Sequence, residues 1–297
     1  MDTVYFGRLL TAMITPMTEC GAIDWPRVDS VIEHLIQNGT ESIVVAGTTG
    51  ESPTLSHEEK LELFRYTVRQ AKGRVKVIAG TGSNNTDVSR QLTREAEEIG
   101  VDGVMLVVPY YNKPTQEGLY QHFKTVALST SLPVMLYNIP GRSAVNMNAD
   151  TMVRLTHDVE NISAIKESSG DLVQVMELVD RKRKDVAVYS GMDELVVPYL
   201  SAGSIGVVSV ASHVIGREMK EMIEAFVHGN VDEAGKLQRR FIPLIQALFM
   251  TSSPAPLKNA LAAMEICEEH VRLPIVPLNQ AEKTYLQTIL QSLQIIH

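Results

Sequence analysis

Short β-branched apolar runs recur along the chain, and each is followed by a segment whose apolar residues have helical spacing. The runs are Leu10 to Thr15, Ser42 to Gly47, Val75 to Gly80, Gly103 to Val108, Val134 to Tyr137, Ile162 to Lys166, Val186 to Ser190 and Gly206 to Val210. They are continuously apolar rather than alternating, the pattern of strands covered on both faces. Between them, Asp24 to Asn38 puts Val28, Val31, Ile32 and Leu35 on one stripe, with Gly39 behind it. Ser56-His57-Glu58-Glu59 reads as a capping box ahead of Leu61, Phe64, Val68 and Ala71, and Gly73 supplies a stop. Thr115-Gln116-Glu117 opens another helix before Leu119, Phe123 and Val126.

Such alternation means a parallel sheet with right-handed crossovers. Eight units within roughly the first 225 residues predict an α/β fold of the (β/α)8 barrel type, for which about 250 residues is usual. A doubly wound open sheet would bind after its first strand through a glycine-rich turn, and Thr15-Pro16-Met17 carries no such glycines. Beyond about residue 228 the strands cease. Val231 to Met250, Pro254 to Cys267 and Leu278 to Ile296 read as helices, giving a catalytic barrel over 1–228 and a C-terminal helical region over 229–297.

Composition narrows the class. A chain of 297 residues, 44% hydrophobic, buries enough surface to fold without disulfide or metal staples. A formal charge of −8 and an isoelectric point near 5.5 supply no concentrated basic face for nucleic acid. The one basic run, Arg181-Lys182-Arg183-Lys184, falls where a helix ends, and there cations complement the dipole. Cys20 and Cys267 have no metal-ligand spacing and suggest a reducing compartment. Met1 to Tyr5 lacks the basic start of a signal peptide, and no apolar stretch approaches the roughly 20 residues that cross a bilayer. These features point to a cytoplasmic protein with no membrane or nucleic-acid partner.

In a parallel barrel the chemistry sits at the carboxyl ends of the strands. Those ends carry Thr48-Thr49-Gly50-Glu51, Gly80-Thr81-Gly82, Pro109-Tyr110-Tyr111-Asn112, Tyr137-Asn138-Ile139-Pro140-Gly141-Arg142, Lys166-Glu167-Ser168 and Ser190-Gly191-Met192-Asp193. Lys166 is the odd residue, because period two sets it on one face with Ala164 and Ser168, inside a barrel. Desolvation there would penalise an ammonium and favour the neutral amine that attacks ketones. Alternatively it reaches solvent or pairs with Glu167. Tyr137 could move protons as a phenol, or be a core aromatic with a satisfied hydroxyl. Thr48-Thr49-Gly50 could present amides to a small carboxylate, or be simply a turn. Arg142 could clamp a second carboxylate, or be solvated. Gly80-Thr81-Gly82-Ser83 lacks the lysine of a phosphate loop, and His57-Glu58-Glu59 has no second histidine for a metal.

Taken together and in order, these motifs resemble the dihydrodipicolinate synthase (4-hydroxy-tetrahydrodipicolinate synthase) family within the N-acetylneuraminate lyase superfamily. The resemblance covers nearly the whole chain, including Thr11-Ala12-Met13-Ile14-Thr15-Pro16 and Pro109-Tyr110-Tyr111-Asn112-Lys113-Pro114. It implies a class I aldolase that needs no cofactor and condenses pyruvate with aspartate semialdehyde on the path to diaminopimelate and lysine. Lys166 would form the Schiff base and Tyr137 act as general acid and base above it. Thr48 and Thr49 would hold the pyruvate carboxylate, and Arg142 that of aspartate semialdehyde. Val208, through its carbonyl, and Gly191 would line the pockets. Thr48, Tyr137 and a Tyr111 from a neighbouring subunit would form a proton relay, which implies a homo-oligomer, commonly a tetramer of paired dimers.

Departures from the family pattern carry their own expectations. Relatives inhibited by lysine can have histidine where Lys60 stands and glutamate where Val88 stands, so weak or absent lysine feedback is expected here. Met192 replaces an acidic residue of some relatives. Two other readings compete: an aldolase for N-acetylneuraminate or a 2-keto-3-deoxy sugar acid, and a non-catalytic metabolite-binding protein, which would need no reactive amine.

Overall fold

Strands β1 (Leu9–Ala12), β2 (Ser42–Val45), β3 (Lys76–Gly80), β4 (Gly103–Val107), β5 (Val134–Asn138), β6 (Ile162–Glu167), β7 (Ala187–Ser190) and β8 (Gly206–Ser209) close into a parallel barrel in chain order. β8 returns to β1 through Leu10 opposite Val208. This computed structural model describes residues 5–296, so the expectation drawn from Met1 to Tyr5 lies, but for Tyr5, outside the described residues. The first strand stops at Ala12 instead of running to Thr15, whose hydroxyl donates to the Gly50 carbonyl at 2.7 Å.

Two apolar layers follow from the strand period. Leu10, Val44, Ile78, Met105, Ala164 and Val208 pack together inside the barrel. Their chain neighbours Leu9, Ile43, Val45, Val77, Val104 and Val207 face outward into the larger core beneath the helices. One irregularity resets the phase: opposite Val134 and Met135, β6 presents Ile162 and Ala164, skipping Ser163. Because of that bulge Ile162 faces outward while Ala164 faces inward.

Around the barrel run α1 (Trp25–Gln37), α2 (His57–Ala71), α3 (Thr86–Ile99), α4 (Gln116–Ala127), the single turn α5 (Pro140–Ser143), α6 (Ala149–Asp158), α7 (Leu172–Arg181), α8 (Val196–Ser201) and α9 (Ser212–Val227). The capping box forms, with the Glu59 amide donating to Ser56 Oγ at 3.2 Å and the Ser56 amide donating to the Glu59 carboxylate at 2.8 Å. The buried stripe of α2 is Leu63, Phe64, Thr67 and Ala71, whereas Leu61 and Val68 are only partly covered. Spacing alone allows either stripe; docking on the barrel selects one. The basic run ends α7 as expected. Beyond it, the Arg183 guanidinium caps the preceding helix and its exit, donating to the carbonyls of Thr156, Val159, Glu160 and Ile162.

After α9 come α10 (Val231–Leu248), α11 (Ala255–Ala263) and α12 (Gln280–Ser292). α10 packs along α9, and α12 covers α10 and α11. Among the described residues no helix is long and apolar enough to cross a membrane.

Candidate active site

Tyr137 and Lys166 are direct neighbours in the β5–β6 ladder, both on the inward face. Lys166 is 5% exposed and Tyr137 4% exposed, and Nζ lies 4.1 Å from the centre of the phenol ring. Lys166 therefore neither reaches solvent nor pairs with Glu167, which the alternation of the strand turns to the other face. Among the described residues, its Nζ has no hydrogen bond and no ion pair, and the Tyr137 hydroxyl likewise bonds no protein group. Tyr137 belongs to the inner apolar cluster, but its hydroxyl is unsatisfied among the described residues, and the residue lines a cavity.

The register of this pair is fixed from behind. Asn138 and Glu167, the next residues on each strand, face each other on the outer side, where the Asn138 amide donates to Glu167 Oε2 at 2.9 Å. The Glu167 carboxylate also accepts from the Ser169 amide at 2.6 Å and from the Gln174 side chain at 3.3 Å. Burial pushes the Glu167 carboxyl up, and these donors oppose that rise. Asn138 further donates to Asn146 at 2.7 Å and accepts from the Met147 amide at 3.0 Å. A buried polar network with its members satisfied holds one geometry, because any shift would orphan a polar group.

The cavity holds about 250 Å³ and is lined by Thr48, Gly80, Gly82, Tyr110, Tyr137 and Arg142, among others. Gly80 and Gly82 are there for room: a Cβ at Gly82 would lie 2.3 Å from the Val107 amide nitrogen, and one at Gly80 would lie 2.5 Å from the Ala46 carbonyl oxygen. At the Thr48–Thr49 turn, the amides of Gly50 and Ser52 donate to the Gly47 carbonyl at 3.1 and 3.2 Å, and that of Glu51 to Thr48 at 3.1 Å. The amides of Thr48 and Thr49 donate to no described residue, so the turn offers consecutive free donors, a geometry suited to a carboxylate. Arg142 stands on α5 at the cavity mouth, exposed, and its guanidinium engages no carboxylate among the described residues.

Not every expected residue meets here. Lys166, Thr49, Val208, Gly191 and Tyr111 are not on the cavity wall itself. Nζ of Lys166 lies over the Tyr137 ring, Thr49 is buried beside Thr48, and Val208 is part of the inner barrel layer. Gly191 abuts Lys166, since a Cβ there would meet Lys166 Cε at 2.7 Å and Ser168 Oγ at 1.9 Å. Its lack of a side chain makes room for the lysine stem. Tyr111 projects away at 89% exposure from a backbone with φ of 73°. Its loop is pinned to the turn after β3, where the Asn84 side chain donates to the Tyr110 carbonyl at 3.1 Å and the Asn112 side chain to the Asn84 carbonyl at 2.9 Å.

Two polar groups around the site have roles that sequence reasoning did not assign: Asp193, noted there only as part of a strand end, and Lys258. Asp193 is 2% exposed, and its Oδ2 accepts from the amides of Val210 and Ala211 at 2.9 Å each, tying the end of β7 to that of β8. Burial pushes its carboxyl up, against the pull of those amides and of nearby Lys166. Lys258 was missed as well, although a lone lysine among Pro254-Ala255-Pro256-Leu257 and Ala260-Leu261 gives the same signal that singles out Lys166.

Residues 5–293 match the model of the dihydrodipicolinate synthetase family. The chain is 51% identical over 288 residues to the 4-hydroxy-tetrahydrodipicolinate synthase of Bacillus subtilis, covering 97% of this chain and 99% of that one. The crystal structure of dihydrodipicolinate synthase DapA-2 from Bacillus anthracis is 53% identical, covers 97% of this chain and 98% of its own, and superposes with a TM-score of 0.94. A structure of the enzyme from Cyanidioschyzon merolae with lysine bound is 42% identical, covers 98% and 99%, and has a TM-score of 0.97.

Proposed function

Since the chain belongs to the dihydrodipicolinate synthetase family, we propose that Lys166, Tyr137, the Thr48–Thr49 turn and Arg142 carry that family's reaction here. The reaction is the condensation of pyruvate with aspartate semialdehyde to 4-hydroxy-tetrahydrodipicolinate, a step of diaminopimelate and lysine biosynthesis. The enzyme is a lyase of the class I aldolase type, in which a lysine imine takes the place of an external cofactor. The sugar-acid aldolase and the non-catalytic binding protein are not favoured by these relatives.

One observation carries the assignment of residues: an amine 5% exposed, without ion-pair partner among the described residues, faces the ring of a phenol whose own hydroxyl is free. Nζ of Lys166 adds to the carbonyl carbon of pyruvate, and loss of water leaves the imine. The Tyr137 hydroxyl passes protons to the departing oxygen and from the methyl group, which becomes the enamine carbon. That carbon attacks the aldehyde. The substrate amine then closes onto the imine carbon and expels Lys166. The free Thr48 and Thr49 amides suit the pyruvate carboxylate, and the planar fork of Arg142 suits that of the second substrate. Val208 and Gly191 bound the lysine's end of the site.

The reading extends to a homo-oligomer, a tetramer built from pairs, working in the cytoplasm. Its support is Tyr111: an aromatic side chain 89% exposed is better placed to complete a neighbour's Thr48–Tyr137 pair than its own. Incubation with pyruvate and borohydride tests the chemistry directly. Mass spectrometry should find a reduced adduct on Lys166 that requires pyruvate, and its absence would overturn the enzyme assignment.

The effector expectation is tested at the same bench. Lys60 is half-buried on α2, where burial holds its amine below the usual range, and Val88 is 47% exposed on α3. A valine offers no carboxylate to a cationic ligand, and the Lys60 amine adds no anion in its place. Lysine at low-millimolar concentration should leave turnover unchanged; inhibition there would contradict this account of the two positions.

A further inference from the structure

The turn that presents the Thr48 and Thr49 amides ends on Glu51, a residue 2% exposed with φ of 56°. Both oxygens of this carboxylate are taken up by the C-terminal region. Oε1 accepts from Lys258 Nζ of α11 at 2.5 Å, and Oε2 accepts from the Arg272 amide at 2.9 Å. Lys258 is 0% exposed and donates a second bond to the His270 carbonyl at 2.7 Å. The segment around Arg272 is itself fastened, because its guanidinium donates to the Thr54 carbonyl at 2.7 Å and to both oxygens of Glu59 at 2.8 and 2.5 Å.

A buried ion pair gains little over apolar side chains of the same volume, since desolvating two charges offsets their attraction. What such a pair does supply is a location. Here the location is that of a turn closed by its own amides, with Glu51 N on the Thr48 carbonyl at 3.1 Å and Thr15 Oγ1 on the Gly50 carbonyl at 2.7 Å. The amides left over are those of Thr48 and Thr49. Their direction depends on where Glu51 is held, and Glu51 is held by residues that follow the barrel by many positions.

We infer that Lys258 is a positioning residue for the first substrate: through Glu51 it sets the Thr48 and Thr49 amides to receive the pyruvate carboxylate, so the helices after the barrel complete that subsite. This rests on the pyruvate-aldolase reading. It gives α11 a part in substrate recognition although the helix contributes no side chain to the cavity.

The test uses the full-length protein and three variants, Glu51→Gln, Lys258→Met and the two combined. Glu51→Gln keeps the shape but leaves one acceptor oxygen where the carboxylate has two, so it can hold either Lys258 or the Arg272 amide and not both; the double variant removes both charges, so the proposal stays testable if Lys258→Met alone fails to fold around an unpaired carboxylate. Measured quantities are the pyruvate concentration that half-saturates borohydride capture on Lys166, KM for each substrate, and Tm. Each folded variant should need about tenfold more pyruvate, the scale of loss expected when a binding group is displaced by a fraction of an ångström. KM for aspartate semialdehyde should stay within about twofold, and the double variant should be no worse than the poorer single one. Lower Tm with unchanged pyruvate half-saturation would reduce the pair to a stability role and overturn the inference. Additive losses would also overturn it, since Lys258 would then not act through Glu51. If the unmodified protein captures no pyruvate, the aldolase reading itself fails, a result distinct from either.

Discussion

Lys166→Ala is expected to abolish pyruvate-dependent turnover, lowering kcat/KM by at least roughly four orders of magnitude, because no neighbouring group can replace the proposed covalent nucleophile. That amine lies over the Tyr137 ring, and the buried Asp193 carboxylate is near enough to feel its charge. Neither can form an imine. Truncation also empties part of the barrel interior, so a fall in Tm is expected from the lost packing of the stem. Circular dichroism must therefore show the fold retained before activity is compared. Lys166→Arg serves as a control with less lost volume: a guanidinium stays protonated at any working pH and is no nucleophile. The measurement is the coupled condensation assay alongside borohydride capture. A folded alanine variant that keeps more than about one percent of turnover would show that the imine is not on the reaction path.

Tyr137→Phe should lower kcat by about two to four orders of magnitude, the range for loss of a positioned general acid and base. The substitution deletes one oxygen and leaves the ring against Nζ of Lys166. Because the hydroxyl bonds no other described residue, its removal orphans no buried partner and should cost little stability. KM for pyruvate should change much less than kcat, since the carboxylate contacts proposed for Thr48 and Thr49 would remain. Time-resolved borohydride capture adds a second readout: the adduct still forms on Lys166, but slowly. Unaltered kcat in the phenylalanine variant would remove Tyr137 from the proton path. Instantaneous capture combined with slow turnover would confine its role to steps after the imine.

These two residues show how far a single sequence reaches. Lys166 stands out because a cation interrupts a buried strand run, and the structure puts it at 5% exposure on the inward face. Tyr137 is its partner across the ladder, a pairing that the ordering of strand ends suggests before any coordinates. The Thr48–Thr49 turn is legible only as an ambiguous motif, since glycine and threonine occupy ordinary turns as often. The structure adds that the amides of Gly50, Glu51 and Ser52 are engaged within the turn while those of Thr48 and Thr49 are not, which supports the carboxylate reading. The buried stripe of α2 and the end of β1 differ from the sequence pattern for a related reason. Helical spacing admits more than one covered arc, and a strand ends where its partner ladder ends, which local sequence does not record.

Residue order alone dictates the alternation of strands and helices, the caps that start them, and the crowding of polar residues onto one rim. These are local matters of period, propensity and charge. Which way each strand faces, and what holds the rim in place, follow from packing between distant parts of the chain. The bulge at Ser163 turns Ile162 outward while leaving Lys166 inward, so the phase that buries the amine is set by pairing with β5. Glu51 meets Lys258 across most of the chain's length, and Glu167 meets Asn138 across a strand boundary. Such contacts depend on the closure of the barrel and the docking of helices upon it, and long-range geometry of that kind leaves no periodic trace in the order of residues.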